Sequence, residues 1–175
     1  GGMGAVYLVR DTRLANRRAA LKEMLDQSMT LSAREESIAR FNREAETLAS
    51  LNHVNVPHVY DRFTEEDRVY MVMEFVDGLD LEKLLEKYQT EMGRPLPERV
   101  VARYAFQLCT VLDYLHQNDP PTLHRDLKPS NVILQPNGVL KLIDFGIAKV
   151  FNPGSHGTGL GTQGYAAPEQ SRGLT

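Results

Sequence analysis

The chain has 175 residues, of which 42% are hydrophobic and 25% are charged, so it can bury a core the size of one domain or two small lobes. Its formal net charge of -3 gives no reason to expect a nucleic-acid partner or contact with an anionic membrane. The single cysteine, Cys109, excludes an internal disulfide framework and favours a reducing compartment such as the cytoplasm.

Strand patterns dominate the first part of the chain. Residues 6–10 and 19–24 are rich in strand-forming residues and predict two strands joined by a polar turn. Residues 32–51 carry apolar side chains at helical spacing and predict a helix. Two more strands are predicted at 56–63 and 69–75, joined by a charged turn. The first part is therefore predicted to be a sheet with one long helix.

The pattern changes at Asp77-Gly78, where the last of these strands ends. Residues 81–88 predict a short amphipathic helix, and residues 98–118 predict a longer helix that begins after a proline. The apolar face of the longer helix is predicted to be its buried side: Val101, Ala105, Leu108, Leu112 and Leu115. Cys109 lies beside this face and is predicted to be a buried core thiol. The second part of the chain is therefore predicted to be rich in helix.

A hairpin with polar residues at its two ends follows the long helix. Two short apolar runs flank Asn137-Gly138, which is a strong turn signal. If these two residues form the turn, partners across the hairpin have numbers that sum to 275, and Asn131 faces Asp144 to within about one residue. An amide oxygen beside a carboxylate suits a hard cation such as Mg²⁺. The alternative is that Asn131 is a turn residue and Asp144 a local cap.

The polar stretch before this hairpin, residues 124–131, carries groups suited to phosphoryl transfer. A carboxylate at Asp126 can accept the proton of an incoming hydroxyl and orient its oxygen. Lys128 can stabilise the charge of the transferred group. His124 is expected to have a structural role in packing and not to act as the base. The alternative is a solvated loop in which Asp126 and Lys128 form an ion pair of little energetic value.

A lysine on one predicted strand has a candidate partner on the predicted helix. Ala20 and Lys22 share one face of their strand, which suits a flat ligand over the small residue and phosphates at the lysine. Glu44 lies close to the apolar stripe of the helix, and a carboxylate near a buried face needs a cation. Lys22 is one candidate for that cation, and Arg40, one helical turn before Glu44, is the alternative.

Two glycine-rich segments are weaker signals. The glycines before the first strand, Gly1, Gly2 and Gly4, could hold phosphates with their backbone N–H groups, or could be a linker or a tight hairpin. The segment that follows residue 151 is rich in glycine and reads as a flexible loop. It carries three hydroxyl side chains: Ser155, Thr158 and Thr162. Most hydroxyls in such a loop are simply solvated.

Together and in this order, the segments closely resemble the eukaryotic-type, or Hanks-type, protein kinase family over the whole chain. Lys128 in the catalytic loop is typical of the serine/threonine branch. The glycine segment and Leu51-Asn52-His53 look most like bacterial members. The resemblance implies an α+β, two-lobed fold, with a small β-rich lobe and one long helix over residues 1–76 and a partial helical lobe over residues 77–175.

The resemblance also implies ATP and Mg²⁺ as cofactors. Lys22, held by Glu44, would bind the α- and β-phosphates, and the metal would bind through Asn131 and Asp144. The hinge that follows the gatekeeper residue would hold adenine with its backbone. Besides Lys22 and Asp144, the positions implied to contact the nucleotide are Gly1, Gly2, Gly4, Val6, Ala20, Met73 (the gatekeeper), Glu74, Val76, Asp80 (the ribose contact) and Ile133.

Regulation by phosphorylation is implied by the same resemblance. Arg125 stands beside Asp126, where an arginine can bind a phosphate on the activation loop. Ser155 and Thr158 are the candidate acceptors, and Thr162 would contact the two charged residues of the catalytic loop. The implied activity is a protein serine/threonine kinase whose partners are protein substrates, itself included. No nucleic acid and no membrane contact are expected for this segment.

Two other functions remain as hypotheses. A non-catalytic nucleotide-binding or scaffold module would be indicated by substitution of Lys22, Asp126 or Asp144, and none of them is substituted. A small-molecule phosphotransferase on a related fold is disfavoured by residues 161–169, which resemble a peptide-positioning element.

The resemblance is incomplete at both ends of the chain. No strand precedes Gly1, and the helical region that follows Glu169 in the family is missing. We therefore expect a piece of a longer protein, truncated at both ends, which as a fragment could be non-catalytic. The segment has no apolar stretch of membrane-spanning length and no secretory leader, so it is expected to be cytoplasmic, whereas a longer parent protein could be anchored in a membrane.

Overall fold

A computed structural model describes residues 4–24, 31–66, 68–145, 149–150, 162 and 164–168. The chain divides into two compact units. The first comprises Gly1–Asn52 with Pro57–Val76, and the second comprises His53–Val56 with Asp77–Thr175. The stretch from His53 to Val56 therefore belongs with the later part of the chain, although the sequence prediction places it in the first part.

The first unit is an antiparallel sheet with one helix. Its strands are β1 (Gly4–Asp11), β2 (Arg17–Met24), β3 (Val59–Glu65) and β4 (Arg68–Glu74), and its helix α1 spans Leu31–Ser50. The strand order is β1-β2-β4-β3, with every neighbouring pair antiparallel. The predicted apolar stripe of α1 is confirmed at three positions, because Phe41, Ala45 and Leu48 are buried.

Strand β3 begins three residues later than the sequence predicts. The predicted strand starts at Val56, but the N–H of Val56 donates to the carbonyl of His53 at 2.9 Å and closes a turn. Pro57 comes next and has no N–H to give to a sheet. The first residue in β3 is consequently Val59, and the pairing register shifts between Val59 and Asp61.

The second unit contains two longer helices and several very short strands. The helices are α2 (Leu81–Met92) and α3 (Glu98–His116), with a short 3-10 helix at Pro129–Asn131. One sheet has the order β5-β7-β8, built from Leu79–Asp80, Val132–Leu134 and Leu140–Leu142. The strands β6 (Thr122–Leu123) and β9 (Lys149–Val150) pair with each other. Strand, helix and loop thus alternate around a core that includes Val111, Leu115, Val132, Leu140 and Leu142.

The β7–β8 hairpin has a register one residue away from the predicted one. Its partners, such as Val132 with Leu142, have numbers that sum to 274 rather than 275. The turn has three residues instead of two, because Gly138 adopts a left-handed φ of 82° and donates to the carbonyl of Gln135. Asn131 is therefore opposite Ile143, whose N–H donates to the Asn131 carbonyl at 2.8 Å. This shift of one residue lies within the margin of about one residue that was predicted for the pairing of Asn131.

The buried side of α3 is rotated from the predicted one. Val111 and Leu115 are fully buried, but Val101 is 49% exposed and Cys109 is exposed, so the prediction of a buried thiol is wrong. A polar residue explains the rotation: Gln107 accepts from the N–H of Leu140 at 3.0 Å and donates to the carbonyl of Gly138 at 3.1 Å. These hydrogen bonds place the polar Gln107, and not the predicted Ala105, against the hairpin.

The stretch from His53 to Val56 is held within the second unit by buried polar groups. Asn55 is 4% exposed and donates to the carbonyl of Leu140 at 2.6 Å, while its own carbonyl accepts from Leu142. Lys141 is also buried and donates to the carbonyl of Val56 at 3.1 Å. Each of these groups has a partner, as buried polar groups require. No hydropathy pattern could have indicated this attachment, because its main carriers are an asparagine and a lysine.

No described helix is both long and apolar enough to cross a membrane.

Candidate active site

The first unit contains a buried ion pair. Lys22 Nζ on β2 donates to Glu44 Oε1 on α1 at 2.7 Å, and the two side chains are only 14% and 9% exposed. The prediction that Lys22 is a partner of Glu44 is therefore confirmed. The side chain of Arg40, the alternative partner, lies outside the described residues. Because both charges are largely removed from water, each depends on the other to offset its desolvation.

The residues around this pair share one face of the sheet. Across β1 and β2, Val6 is opposite Lys22, and across β2 and β4, Ala20 is opposite Met73. Ala20 and Lys22 are two residues apart on one strand, so all four side chains point to the same side. The face combines a small buried residue at Ala20 and a 64% exposed Val6 with the lysine. An apolar shelf next to a cation fits a flat ring attached to an anion.

The segment predicted as the hinge begins at Glu74, the last residue of β4. The backbone N–H of Glu74 donates to the carbonyl of His58 at 2.8 Å, and the Glu74 carboxylate accepts from the His58 N–H at 3.2 Å. Val76 is buried at the end of the first unit. Two reciprocal contacts with His58 thus hold Glu74 in place. The predicted glycine positions Gly1 and Gly2 lie outside the described residues, and Gly4 begins β1.

Four residues of the second unit form one hydrogen-bonded network. Asp126, Lys128 and Asn131 lie close together in sequence, and Thr162 comes from later in the chain. Thr162 Oγ1 donates to Asp126 Oδ1 at 2.7 Å and accepts from Lys128 Nζ at 2.8 Å. Lys128 also pairs with Asp126 Oδ2 at 3.1 Å. Asn131 Nδ2 donates to the carbonyl of Asp126 at 2.8 Å and to its Oδ2 at 3.0 Å. The predicted contact of Thr162 with both charged residues is confirmed.

This network sets the charge of Asp126. Burial alone would raise the pKa of the carboxyl, but hydrogen bonds from Thr162, Lys128 and Asn131 outweigh it and hold the pKa of Asp126 below its usual value. Asp126 is therefore ionised at neutral pH. Both of its carboxylate oxygens face donors, so an incoming hydroxyl would meet a negative and oriented acceptor.

The loop backbone is held in an unusual conformation. Arg125 has a left-handed φ of 62°, and the N–H of Asp126 donates back to the carbonyl of His124 at 2.9 Å. The N–H of Asn131 donates to the carbonyl of Lys128 at 3.0 Å and closes the short 3-10 helix. A non-glycine residue with positive φ is uncommon and clusters at functional sites. The turn at Arg125 lets both His124 and Asp126 point inward.

His124 is buried and structural, as expected from the sequence. Its ring lies 4.9 Å from the ring of Phe145, Nε2 lies 3.3 Å from the carbonyl of Ile143, and Nδ1 accepts from the Asp126 N–H at 3.3 Å. These contacts assign the proton of the neutral ring to Nε2. Burial lowers the pKa of His124, and the bond to Ile143 offsets this only partly.

Stability is expected to fall as the pH drops below about 6.5, the ordinary histidine pKa. The folded pKa of His124 lies below the unfolded one, so the unfolded chain takes up its proton first as the pH falls. His53 has a pKa lowered by burial and contributes in the same direction. Each histidine adds at most about 1.4 kcal/mol per pH unit.

The measurement is the free energy of unfolding by urea between pH 7.5 and 5.0. His124→Phe should flatten this pH dependence, whereas His116→Gln, on the exposed side of α3, should leave it unchanged. Equal slopes for wild type and His124→Phe would contradict the assignment of His124 as a buried neutral ring.

Asn131 and Asp144 supply the oxygen groups for the predicted metal site. Because Asn131 Nδ2 faces Asp126, its Oδ1 is turned the other way. Asp144 is exposed and has a left-handed φ of 56° at the end of the hairpin. In the part of the chain described, no three or more His, Cys, Asp or Glu side chains are grouped so that they could hold a metal ion. A Mg²⁺ ion held by one or two side chains, water and substrate phosphates needs no such cluster, so this donor set fits it.

Asp80, predicted to contact ribose, has a clear structural role. It is the N-cap of α2 and accepts from the N–H of Lys83 at 2.8 Å, while its other oxygen pairs with Lys83 Nζ at 2.8 Å. Burial alone would raise its pKa, but the hydrogen bonds from Lys83 lower the pKa of Asp80 overall. Across β5 and β7, Asp80 is opposite Ile133, so two of the predicted nucleotide positions lie side by side.

A cavity of about 360 Å³ adjoins the catalytic loop. Arg125 and Asp126 line it from the loop, and Thr162, Tyr165 and Ala166 line it from the later segment. Tyr165 was not singled out as a site residue from the sequence, although its segment was noted for its resemblance to a peptide-positioning element. Ser155 and Thr158 lie outside the described residues.

Comparison with known proteins identifies the family. A model of the protein kinase domain matches residues 1–173. The serine/threonine-protein kinase PknF of Mycobacterium tuberculosis is 41% identical over 182 residues, which cover 99% of this chain and 36% of PknF. PrkC of Bacillus subtilis, also named as a serine/threonine-protein kinase, is 36% identical over 176 residues, which cover 99% of this chain and 26% of PrkC.

The solved structure of PpkA-294 in its apo form has a TM-score of 0.70 to this chain at 26% identity, covering 85% of this chain and 56% of that one. The α+β kinase-like fold expected from the sequence is therefore confirmed. The chain spans about a third or less of the length of the curated relatives named above. By its matched residues and its fold, the chain belongs to the protein kinase domain family.

Proposed function

We propose that this chain is the catalytic part of an ATP- and Mg²⁺-dependent protein serine/threonine kinase. The observation that carries the proposal is the network in which Asp126 and Lys128 bind the hydroxyl of Thr162 while Asn131 bonds to Asp126. That hydroxyl donates to the Asp126 carboxylate and accepts from the Lys128 ammonium. An acceptor serine or threonine has the same functional group, so the same two residues suit its binding.

The proposed reaction is an in-line transfer. The acceptor oxygen forms a bond to the γ-phosphorus of ATP, the bond from that phosphorus to the β,γ-bridging oxygen breaks, and ADP leaves. Asp126, ionised because its hydrogen bonds lower its pKa, accepts the hydroxyl proton as the transfer proceeds. Lys128 stabilises the charge of the moving phosphoryl group. Asn131 holds Asp126 in position through its amide nitrogen.

The nucleotide roles fall on residues of both units. In the first unit, Lys22 would bind the α- and β-phosphates, and Glu44 would orient the lysine. Val6, Ala20 and Met73 would form the apolar surface for adenine. The first unit would thus correspond to the small lobe of a kinase.

In the second unit, Asn131 and Asp144 would hold Mg²⁺, which when bound would neutralise phosphate charge. Asp80 and Ile133 would face the ribose and adenine. The backbone of Glu74 and Val76, and the glycines Gly1, Gly2 and Gly4, would complete the nucleotide contacts. The second unit would correspond to the partial large lobe.

Partners and location follow from this activity. The substrates would be proteins, the kinase itself included, and the cavity beside Arg125 and Asp126 would receive the acceptor segment. The single cysteine in the sequence supports a reducing, cytoplasmic location for this domain.

The test is transfer of radiolabelled γ-phosphate by the full-length protein. We expect phosphate on serine and threonine, but not tyrosine, in a protein acceptor, and loss of the signal when EDTA removes Mg²⁺. Nucleotide binding without transfer to any of a broad set of protein acceptors, or to the kinase itself, would instead favour the non-catalytic module. Phosphate on a small molecule alone would favour the phosphotransferase.

Activation is expected to require phosphate on the loop that carries Ser155 and Thr158. Burial lowers the pKa of the Arg125 guanidinium, and a phosphate bound beside this charged group would offset the cost of its desolvation. Phosphopeptide mapping of the active full-length protein should find one of these two residues modified. Ser155→Ala/Thr158→Ala should lower the transfer rate at least tenfold, and active protein modified at neither position would contradict this prediction.

A further inference from the structure

The second unit has a larger cavity away from the catalytic loop. Its volume is about 760 Å³, and it is open to solvent. Residues from four parts of the fold line it: the start of α3, Leu84 on α2, the chain at β5, and the β7–β8 turn. None of its lining residues is assigned above to nucleotide, metal or acceptor binding.

The cavity lies on the opposite side of a sheet from two proposed nucleotide positions. Leu79 on β5 and Leu134 on β7 are direct partners and line the cavity. Their neighbours Asp80 and Ile133 are also partners, one residue further along each strand. Successive side chains of a strand point to opposite faces. The cavity is therefore distinct from the proposed ATP site but shares two strands with it.

The charged residues that line the cavity are both basic. Arg99 and Arg103 lie one helical turn apart on α3, both are exposed, and both line the cavity. None of the described residues that line it is acidic, although the whole chain carries a net charge of -3. Two guanidinium groups at this spacing can each receive a carboxylate, and such charge-assisted hydrogen bonds are among the stronger ones.

The rest of the lining is mainly apolar. Leu79, Leu84 and Leu134 present aliphatic side chains, and Leu79 is 42% exposed. A closed pocket suits a small ligand because it buries most of the ligand's surface. An open groove with an apolar part and a cationic part instead suits an extended chain, which gains affinity from several side chains at once.

We propose that this surface, called here the arginine groove, binds an extended segment of a protein partner that carries carboxylate side chains next to large aliphatic ones. Charge complementarity selects this occupant, since the two arginines attract carboxylates and repel basic segments. The occupant's aliphatic side chains would pack on the three leucines. Binding at the groove does not depend on catalysis, so it can be tested separately from the proposed kinase activity.

The probe is a fluorescein-labelled nine-residue peptide in which alternate positions hold two leucines and then two glutamates, with alanine elsewhere. Alternate side chains of an extended peptide share a face, so this pattern presents all four to the groove. Fluorescence anisotropy with the full-length protein should show saturable binding at least tenfold tighter than that of the same peptide with lysine in place of glutamate.

The decisive variant is Arg99→Glu/Arg103→Glu. It should weaken binding of the glutamate peptide at least tenfold and make the lysine peptide the tighter ligand. The matched control is Lys87→Glu/Arg94→Glu, which makes the same change in net charge at exposed positions outside the groove and should change both affinities by less than twofold. If the charge reversal unfolds the protein, Arg99→Gln/Arg103→Gln should abolish the preference between the two peptides.

Three results would overturn the proposal. The first is the absence of saturable binding of the glutamate peptide. The second is a preference between the peptides that the charge reversal leaves unchanged. The third is a dimer, detected by sedimentation velocity, that the charge reversal dissociates and the glutamate peptide competes with. That dimer would show that a second copy of the chain occupies the groove.

Discussion

Asp126→Asn is expected to lower the rate of phosphoryl transfer about 1,000-fold, within the range for loss of a general base. The amide cannot accept the proton of the acceptor hydroxyl, but it keeps the shape of the carboxylate and can still accept from Lys128. ATP affinity should therefore stay within about threefold of the wild-type value, since Asp126 is assigned no contact with the nucleotide. The measurements are transfer of radiolabelled phosphate and calorimetric titration of ATP, both with the full-length protein.

The matched control for this variant is Asp113→Asn. Asp113 is an exposed carboxylate on α3 that accepts a hydrogen bond from Gln117 at 2.6 Å, so its loss should leave transfer unchanged. Wild-type transfer by Asp126→Asn would refute the assignment of Asp126 as the base. Loss of transfer together with loss of ATP binding would point to a collapsed site and would contradict the separate role given to this residue.

Lys22→Met is expected to lower transfer at least 100-fold and also to destabilise the fold by about 3 kcal/mol, the scale for removal of one partner of a buried ion pair. The pair is only 14% and 9% exposed, so Glu44 would keep a buried charge without Lys22. The free energy of unfolding by urea measures the second effect, and transfer of radiolabelled phosphate measures the first.

A second substitution separates the two effects. In Lys22→Met/Glu44→Met, no charge of the pair is left behind, so most of the lost stability should return while transfer stays low. The control is Lys87→Met, which breaks an exposed pair with Glu91 at 3.9 Å and should cost less than about 0.5 kcal/mol. Recovery of transfer in the double variant would contradict the proposal that Lys22 binds phosphate.

Local patterns were enough for most of the first unit. The strand-forming residues of β1 and β2 and the helical spacing of Phe41, Ala45 and Leu48 are local features of the sequence. Lys22 could also be predicted as a candidate partner of Glu44, because a carboxylate beside a buried apolar stripe requires a cation. The start of β3 was missed because the predicted strand included Val56 and Pro57, although Val56 closes a turn and Pro57 has no N–H for a sheet.

The second unit shows where such patterns are insufficient. The buried side of α3 depends on hydrogen bonds from Gln107 to the hairpin, and a polar residue leaves no apolar signal. The hairpin register moved by one residue because Gly138 took a left-handed conformation and extended the turn to three residues. The arginine groove was not predicted at all, since its residues come from three separate stretches of chain.

The family and the residue types of the site could be predicted from the sequence, because the order of His124-Arg125-Asp126, Lys128, Asn131 and Asp144 matches a motif set whose residue types the reaction demands. The geometry of these groups depends on the fold. The resemblance implied that Thr162, 36 residues from Asp126, would contact both charged residues, but the structure was needed to show that its hydroxyl donates to Asp126 and accepts from Lys128. Such contacts depend on the folding of distant segments onto one another, which local periodicity does not encode. The same limit explains why the arginine groove, which is lined by residues of α2, α3, β5 and the β7–β8 turn, corresponds to no motif.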